Sequence, residues 1–429
     1  TAVDSRGKAL RNAIIYMDRR SVEQANQLRK YPGEEEIASI AQNRIAPGAF
    51  SATSILWLKD NEPSTYSEAW KFLHANGYLG LRLTGRPCMD WTNASFTLLF
   101  DLRKRSWSQR LCEGAGVDLD KLPEAAAPWS AIGEVTAEAS DETGLPRGIP
   151  VAAGAADSAS AALGVGCVEA GSAIDSTGAS TVLGVCTPEP AFNPKVPIRC
   201  HAVPDLWLYI APCSTTGAAL RWFRDNFSER EVLQARRLNV SPYHLLDLEA
   251  SKSRPGSGGL IFLPYLAGER APIWSPDVRG LLYGLTLEHR RADVIRSILE
   301  GCAYALRHNM EALEGAGVKV HSIVATGGGA RSTLWRQIKA DVTGKQIILT
   351  GVREAAAFGS SILAATAAGL YKDPAKASKD LVTVIERTMP NPALKEVYSN
   401  LFNTYKQLSE LVVLRASSDF QTVEGSKGI

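Results

Sequence analysis

Apolar residues recur at three- and four-residue intervals from Ala292 to Leu313. Val294, Ile295, Ile298, Leu299, Cys302, Leu306, Met310 and Leu313 fall on one face and predict a long amphipathic helix. Beyond it the period changes. Val320 to Thr326 reads as a strand, Gly327-Gly328-Gly329 as a turn, and Ser332 as the N-cap of a helix through Val342 that Gly344 ends. Lys345 to Thr350 reads as another strand and Glu354 to Gly369 as a helix of small residues. Upstream, Ser172 to Ser176 and Ser180 to Val185 read as two strands joined by a tight turn at Thr177-Gly178-Ala179. A strand from Leu206 to Ala211 leads through Ser214-Thr215-Thr216-Gly217 into a helix carrying Leu220, Trp222 and Phe223.

Nearer the start, Ala13 to Tyr16 reads as a short strand running into a polar helix start. Ser21 to Glu113 is mostly helical, broken by turn signals at Tyr31-Pro32-Gly33 and Ala46-Pro47-Gly48. Between Gly133 and Gly166 strands and helices alternate. There the apolar run Val151 to Ala156 meets Asp157 and then a small-residue helix, Ser158 to Leu163. Gly164 to Gly171 reads as a linker. The pattern is α/β in two halves, 1–165 and 166–429, with a polar, frayed end from Ala416 to Ile429.

Composition narrows the function classes. A chain of 429 residues fits two or three domains, and 47 basic against 45 acidic residues leave a net charge of +2. No positive excess exists to drive binding to a phosphate backbone, which sets nucleic acid aside as a partner. The seven cysteines form no CxxC pair and no zinc spacing, which points to reduced thiols and a cytoplasmic setting. No apolar run approaches the roughly 20 residues that span a bilayer, and no signal-peptide pattern opens the chain. It opens with Thr1 rather than Met, so the gene product is expected to begin further upstream.

Four places could carry chemistry. Glycines at the Gly327-Gly328-Gly329 turn let backbone approach a ligand, and the following helix N-terminus offers N–H groups to anions; an ordinary strand-to-helix connection reads the same way. Hydroxyls and N–H groups crowd the Ser176–Ser180 turn and could cradle phosphate oxygens, as could any plain hairpin. Asp157, at the carboxyl end of an apolar strand, is placed to take a proton from a substrate hydroxyl, or simply to cap its helix. Tyr16, Trp57, Trp222 and Trp274 could stack on a sugar or pack internally. The six histidines are isolated along the chain, with no triad or metal spacing, and Cys302 falls on an apolar helix face.

Taken in order, these segments resemble the FGGY carbohydrate kinases. Gly280-Leu281-Leu282-Tyr283-Gly284-Leu285, seven further residues, Asp293-Val294 and Ser297-Ile298-Leu299-Glu300 satisfy the second family signature at each constrained position. GLIFLPYLAGER (259–270) and GGGARSTLWRQIKAD (327–341) are equally characteristic. AIIYMDRR (13–20), WLKDNEP (57–63), LTGRP (83–87) and GIPVAAGAADSASAALGVG (148–166) follow in family order. The resemblance implies a two-domain actin-like ATPase (ribonuclease H-like) fold with ATP and sugar meeting in the inter-domain cleft. It implies transfer of the ATP γ-phosphoryl group to a sugar hydroxyl, with magnesium, by a sugar-binding N-terminal domain and a nucleotide-binding C-terminal domain. Asp157 falls where the family has its catalytic base. Tyr16 matches an aromatic lining the sugar site, and Ser158 the residue beside the base. Thr177, Gly178, Ala179 and Ser180 match the second phosphate-binding turn. Gly217 and Arg221 match the helix flanking the nucleotide, and Gly328, Gly329 and Thr333 the adenosine motif.

The departures are specific. The family's opening strand–turn–strand, with its Asp and Gly-Thr pair for phosphate and magnesium, is not in this sequence, which fits a fragment. Ala179 stands where a Thr hydroxyl usually faces the phosphates. Ser54 replaces the Lys of the first signature, and Ala49 a residue near the substrate. The expected acceptor is a ketose such as a pentulose. The alternatives are a glycerol or polyol kinase, a non-catalytic nucleotide-binding regulator on the same fold, and an actin-like ATPase serving a protein partner. A homodimer is the default assembly.

Overall fold

The computed structural model describes residues 1–425. Among them no helix is long and apolar enough to cross a membrane. The chain forms two compact units that interleave along the sequence. Thr1–Ala170, Cys186–Ile210 and Glu354–Val382 make the first; Gly171–Val185, Ala211–Arg353 and the chain from Thr383 make the second. The spans expected from the sequence were contiguous.

The first unit buries Leu28 of α1 (Val22–Leu28) together with Ile55, Leu56 and Leu58 of α2 (Ser51–Asn61) against Ile37, Phe50, Leu98, Leu99 and Leu111. Helix α3 (Ala75–Thr84) leads to β1 (Cys88–Asp90), which pairs in parallel with β2 (Glu124–Ala126). Strand β3 (Ala131–Glu134) pairs antiparallel with β4 (Pro150–Ala152), and the chain then enters α4 (Asp157–Gly164). The small residues of α4 serve close packing. Side chains at Gly164 and at Gly359 of the helix Ala355–Ala367 would strike the carbonyls of Ala355 and Ser160, so two glycines set the spacing of this helix pair. The strand expected over Ala13–Tyr16 does not form. This segment has no neighbouring strand among the described residues to complete a ladder, and Ile15, Tyr16 and Met17 lie exposed.

The second unit is built on a twisted sheet and a buried helix. Its strands β5 (Ser172–Thr177), β6 (Thr181–Thr187), β7 (Ser322–Thr326), β8 (Gln346–Thr350) and β9 (Val384–Thr388) lie in the spatial order β6–β5–β7–β8–β9. Strands β5 and β6 form the expected hairpin, with Thr177 opposite Thr181. Strands β5, β7 and β8 run parallel, with Thr326 opposite Ser176, so the turn after β5 and the glycine loop after β7 emerge at one edge of the sheet. The periodic stretch is helix α6 (Arg291–Glu314), following α5 (Thr216–Phe227). Ile295, Ile298, Leu299, Leu306 and Leu313 are buried along it, each contributing roughly 1.5–3 kcal/mol. Ser332 caps α7 (Thr333–Thr343) by accepting the Trp335 N–H, and Gly344 ends it in the left-handed conformation. The final helix α8 (Lys395–Gly425) packs Phe402 and Tyr405 against Tyr304 of α6. The frayed end expected from Ala416 is helical through Gly425; residues 426–429 lie outside the described residues.

Candidate active site

In the second unit, Thr177, Gly178, Ala179, Gly217, Gly328 and Gly329 come together at the carboxyl edge of β5 and β7. Thr177 ends β5, and Gly178 and Ala179 turn the chain, exposed, with the Gly178 N–H donating to the Ser180 carbonyl (2.8 Å). The first turn of α5 presses on this turn from below. The Ala218 N–H donates to the Ala179 carbonyl (2.8 Å), and a side chain at Gly217 would strike the Gly178 carbonyl. Among the described residues nothing accepts the Ala179 N–H. Where a Cβ would stand, Gly178 and Gly328 meet no atom nearer than 3.9 Å and 4.0 Å. A phosphate can therefore approach bare backbone here, which is what the glycines at both turns permit.

Two buried cations brace these turns. Lys339 of α7 donates to the Asp175 carboxylate and to the Thr177 hydroxyl (2.8 Å). Thr177 in turn donates to Asp175 (2.6 Å), and hydroxyl contacts continue to Thr181 (2.8 Å) and Thr216 (2.7 Å). The Thr177 hydroxyl is consumed internally, so only its backbone can serve a phosphate. Arg336 donates to the Ala330 carbonyl (2.5 Å), the Thr333 hydroxyl (3.3 Å) and Glu386 of β9 (2.7 Å), which ties the glycine loop to the sheet. Ser180 is half-buried, while Thr333 and Arg221 are exposed, Arg221 standing one turn beyond Gly217 on α5. Below the turns, Glu269 is 4% exposed; it accepts the N–H groups of Ser214 (2.6 Å) and Arg270 (2.8 Å), and its Oε2 has no partner. Burial pushes its carboxyl up to about 7, against those two N–H groups.

In the first unit, Asp157 opens α4 and lies exposed, its Oδ1 taking the Ser158 N–H (2.6 Å). Ala156, not Asp157, occupies the N-cap, and no side chain caps this helix, so the capping role does not hold. The backbone just before Asp157 is fixed: the Ala156 N–H donates to the Thr92 hydroxyl (2.7 Å), which donates to the buried Asp90 carboxylate. Asp90 also accepts the N–H groups of Thr92 (2.9 Å) and Asn93 (3.1 Å) and the amides of Asn76 (2.7 Å) and Asn93 (2.7 Å). Because Asn93 gives its amide hydrogens to Asp90 and Asn76, its oxygen faces His74 Nδ1 (3.2 Å) and His74 Nε2 faces the Ser51 hydroxyl (2.6 Å). The ring then donates at Nδ1 and accepts at Nε2. Burial holds its pKa below the ordinary histidine value, which keeps that neutral tautomer.

Ser158 adjoins Asp157 with its hydroxyl buried and unpartnered among the described residues. Tyr16 is 71% exposed on its loop, and none of the described contacts joins it to Asp157. Trp57 lies under the guanidinium groups of Arg20 and Arg11, at 4.7 Å and 5.8 Å. Two surface hollows, one beside Asp4, Arg6 and Trp70 and one beside Arg224, Arg236 and Pro242, hold none of the candidate residues. Sequence reasoning did not single out Asp90, Asn93, His74, Arg199, Asp175 or Lys339. Only Asp90 carried a local signal, since Asp-Trp-Thr-Asn opens a short helix in the manner of an N-cap.

Residues 1–164 match the N-terminal domain, and residues 174–368 the C-terminal domain, of the FGGY family of carbohydrate kinases. The chain is 32% identical over 413 residues to the gluconokinase of Bacillus subtilis, covering 96% of this chain and 80% of that one. It is 28% identical over 408 residues to the xylulose kinase of the same organism, covering 95% and 79%. The crystal structure of xylulose kinase from Rhodospirillum rubrum superposes with a TM-score of 0.87 at 28% identity, covering 97% of this chain and 83% of that one.

Proposed function

Because this chain belongs to the FGGY family of carbohydrate kinases, phosphotransferases with an alcohol acceptor built on a two-domain actin-like ATPase fold, we propose that it transfers the ATP γ-phosphoryl group to a sugar hydroxyl with Asp157 as the general base. One observation carries the assignment of the base. Asp157 is an exposed carboxylate that forms no ion pair among the described residues, on backbone locked through Ala156, Thr92 and Asp90. A structural carboxylate would be expected to hold a partner, whereas a base must be fixed in position and open to its substrate.

The reaction is a direct in-line displacement. The acceptor oxygen bonds to the γ-phosphorus as the bond to the β–γ bridging oxygen breaks; the hydroxyl proton passes to Asp157, and ADP leaves. Thr177, Gly178, Ala179 and Gly328 present backbone to the phosphates, Gly217 and Gly329 let the supporting segments close on that backbone, and Arg221, Ser180 and Thr333 stand around it. Among the described residues no three His, Cys, Asp or Glu side chains gather to hold a metal. A magnesium ion carried on the phosphates needs only one or two protein carboxylates, and would neutralise charge there. The family relatives act on both a neutral ketose and a sugar acid, as their names state.

The test is ADP release by the full-length gene product with ATP and magnesium across ketoses, aldoses, polyols and sugar acids, repeated on Asp157→Asn. Substrate-dependent release that the substitution removes, with ATP still bound, is the expected result. Retained turnover in the variant would overturn the base assignment, and no stimulation by any acceptor would overturn the kinase reading in favour of a regulatory nucleotide-binding role.

A further inference from the structure

Within the electrostatic reach of Asp157 and Asp90 lies one guanidinium that no ion pair holds among the described residues. Arg199, in the strand Ile198–Cys200 of the first unit, is only 9% exposed. Its guanidinium carbon lies 3.9 Å from the centre of the Phe96 ring. Its Nε is sealed from water with no acceptor, and among the described residues no carboxylate stands within ion-pairing distance. Asp157 and Asp90 are the main acidic influences on it, yet desolvation outweighs them and holds Arg199 down to about 10. A buried guanidinium is costly unless its donors and its charge are both met, so its persistence here asks for an acceptor.

Neither resident carboxylate can be that acceptor. Asp90 already takes five donors from Thr92, Asn93 and Asn76. Asp157 holds the Ser158 N–H and must stay open for a hydroxyl proton. Asn43 and Ser95 fix the strand on either side of Arg199: the Ile198 N–H donates to the Asn43 side chain (2.9 Å) and the Cys200 N–H to the Ser95 hydroxyl (3.0 Å). The guanidinium is therefore held by rigid backbone and backed by Phe96. A planar fork of donors in such a setting matches the two oxygens of a carboxylate, which also cancels its charge. Sugar hydroxyls would meet the donors and leave the charge.

We propose that Arg199 binds the carboxylate of the acceptor, so that this kinase phosphorylates an aldonate, a sugar acid, in preference to a neutral ketose. The proposal rests on the sugar-kinase reading above and replaces the ketose expected from the sequence. A molecule with a carboxylate at one end and a chain of hydroxyls can occupy Arg199 and still offer a hydroxyl to Asp157. A phosphate ester offers similar oxygens but brings more negative charge beside Asp157 and Asp90.

The experiment compares gluconate with glucitol, which differs from it only in carrying CH2OH for the carboxylate, and with xylulose and xylulose 5-phosphate. Wild-type full-length protein, Arg199→Gln and Arg199→Lys are assayed for ADP release with ATP and magnesium, and for gluconate binding by calorimetry without ATP. Thermal melting checks that each variant folds. Gluconate is expected to exceed glucitol and xylulose in kcat/KM. Arg199→Gln should lower the gluconate-to-xylulose ratio about 100-fold, chiefly through KM, because a charge-assisted pair is lost. Arg199→Lys, which keeps the charge without the fork, should fall between. A wild-type preference for xylulose, glucitol or the phosphate ester, or an unchanged ratio in a folded Arg199 variant, would overturn the proposal while leaving the kinase reading standing. ADP release indifferent to every acceptor would overturn that reading instead. If Arg199→Gln does not fold, the wild-type panel and Arg199→Lys decide.

Discussion

Lys339 and Asp175 form an ion pair inside the second unit, 3% and 0% exposed at their side chains, with the Thr177 hydroxyl bonded to both. The pair links the middle of α7 to the carboxyl end of β5, directly beneath the residues proposed to meet phosphate. Removing the cation alone leaves a buried carboxylate with only a hydroxyl for company. Lys339→Met should therefore destabilise the protein by about 3–5 kcal/mol in urea unfolding and raise KM for ATP. Pairing it with Asp175→Asn should recover most of that stability. If the single substitution costs less than the double one, the pair does not brace the turn.

Gly217 offers a cleaner separation of nucleotide from sugar. A methyl group there meets the Gly178 carbonyl, and the backbone around it is already committed through the Ala218 N–H to Ala179. Gly217→Ala should push the turn away and weaken ATP binding about 10-fold or more, the scale expected when ordered backbone shifts by about an ångström at a phosphate site. Acceptor binding measured without nucleotide should stay put, because Gly217 belongs to the other unit from Asp157. Calorimetric titration with each ligand separates the two effects; an equal loss for both would point to general misfolding.

The parts of this molecule that could be read from the sequence are those whose signal is local. The period along α6, the hairpin at Thr177, the Ser332 cap and the Gly344 stop each depend on residues a few positions apart, and each forms as expected. Lys339 meets Asp175 across 164 residues, and Arg199 lies near Asp90 and Asp157 only because the chain returns to the first unit at Cys186. No spacing rule announces such meetings, and a lysine on an amphipathic helix reads as solvated until the fold buries it. His74 looks isolated along the chain for the same reason: Ser51 and Asn93 reach it from separate helices. The apolar run at Ala13–Tyr16 misled because hydrophobicity makes a strand only where a neighbour completes the ladder.

Thr92 tests whether Asp157 owes its position to the network behind it. Its hydroxyl is the link between the Ala156 N–H and Asp90, and it is wholly buried. Thr92→Val keeps the shape, strands an N–H and takes a donor from a carboxylate, costing about 1–3 kcal/mol of stability. The turnover number should fall while KM for ATP changes little, and Thr92→Ser should restore it. A valine variant with wild-type kcat would show that Asp157 is positioned by its helix alone.

Glu269 makes stability depend on pH in a direction that a surface carboxylate would not. Its folded pKa, about 7, lies above the ordinary 4.5, chiefly because the side chain is desolvated. A group raised in this way contributes stability that is fully present below about pH 4.5 and is lost as pH rises through about 7, since the folded state must give up a proton it prefers to keep. The loss should level off near pH 8 at roughly 3 kcal/mol. Glutamine copies the protonated carboxyl, its oxygen accepting from Ser214 and Arg270 and its amide standing where Oε2 has no partner. Glu269→Gln should therefore match or trail the wild type at pH 4.5 and gain on it steadily between pH 5 and pH 8 in urea midpoints. A constant difference across that range would mean that Glu269 keeps its charge when buried, and that the N–H groups of Ser214 and Arg270 are enough to hold it.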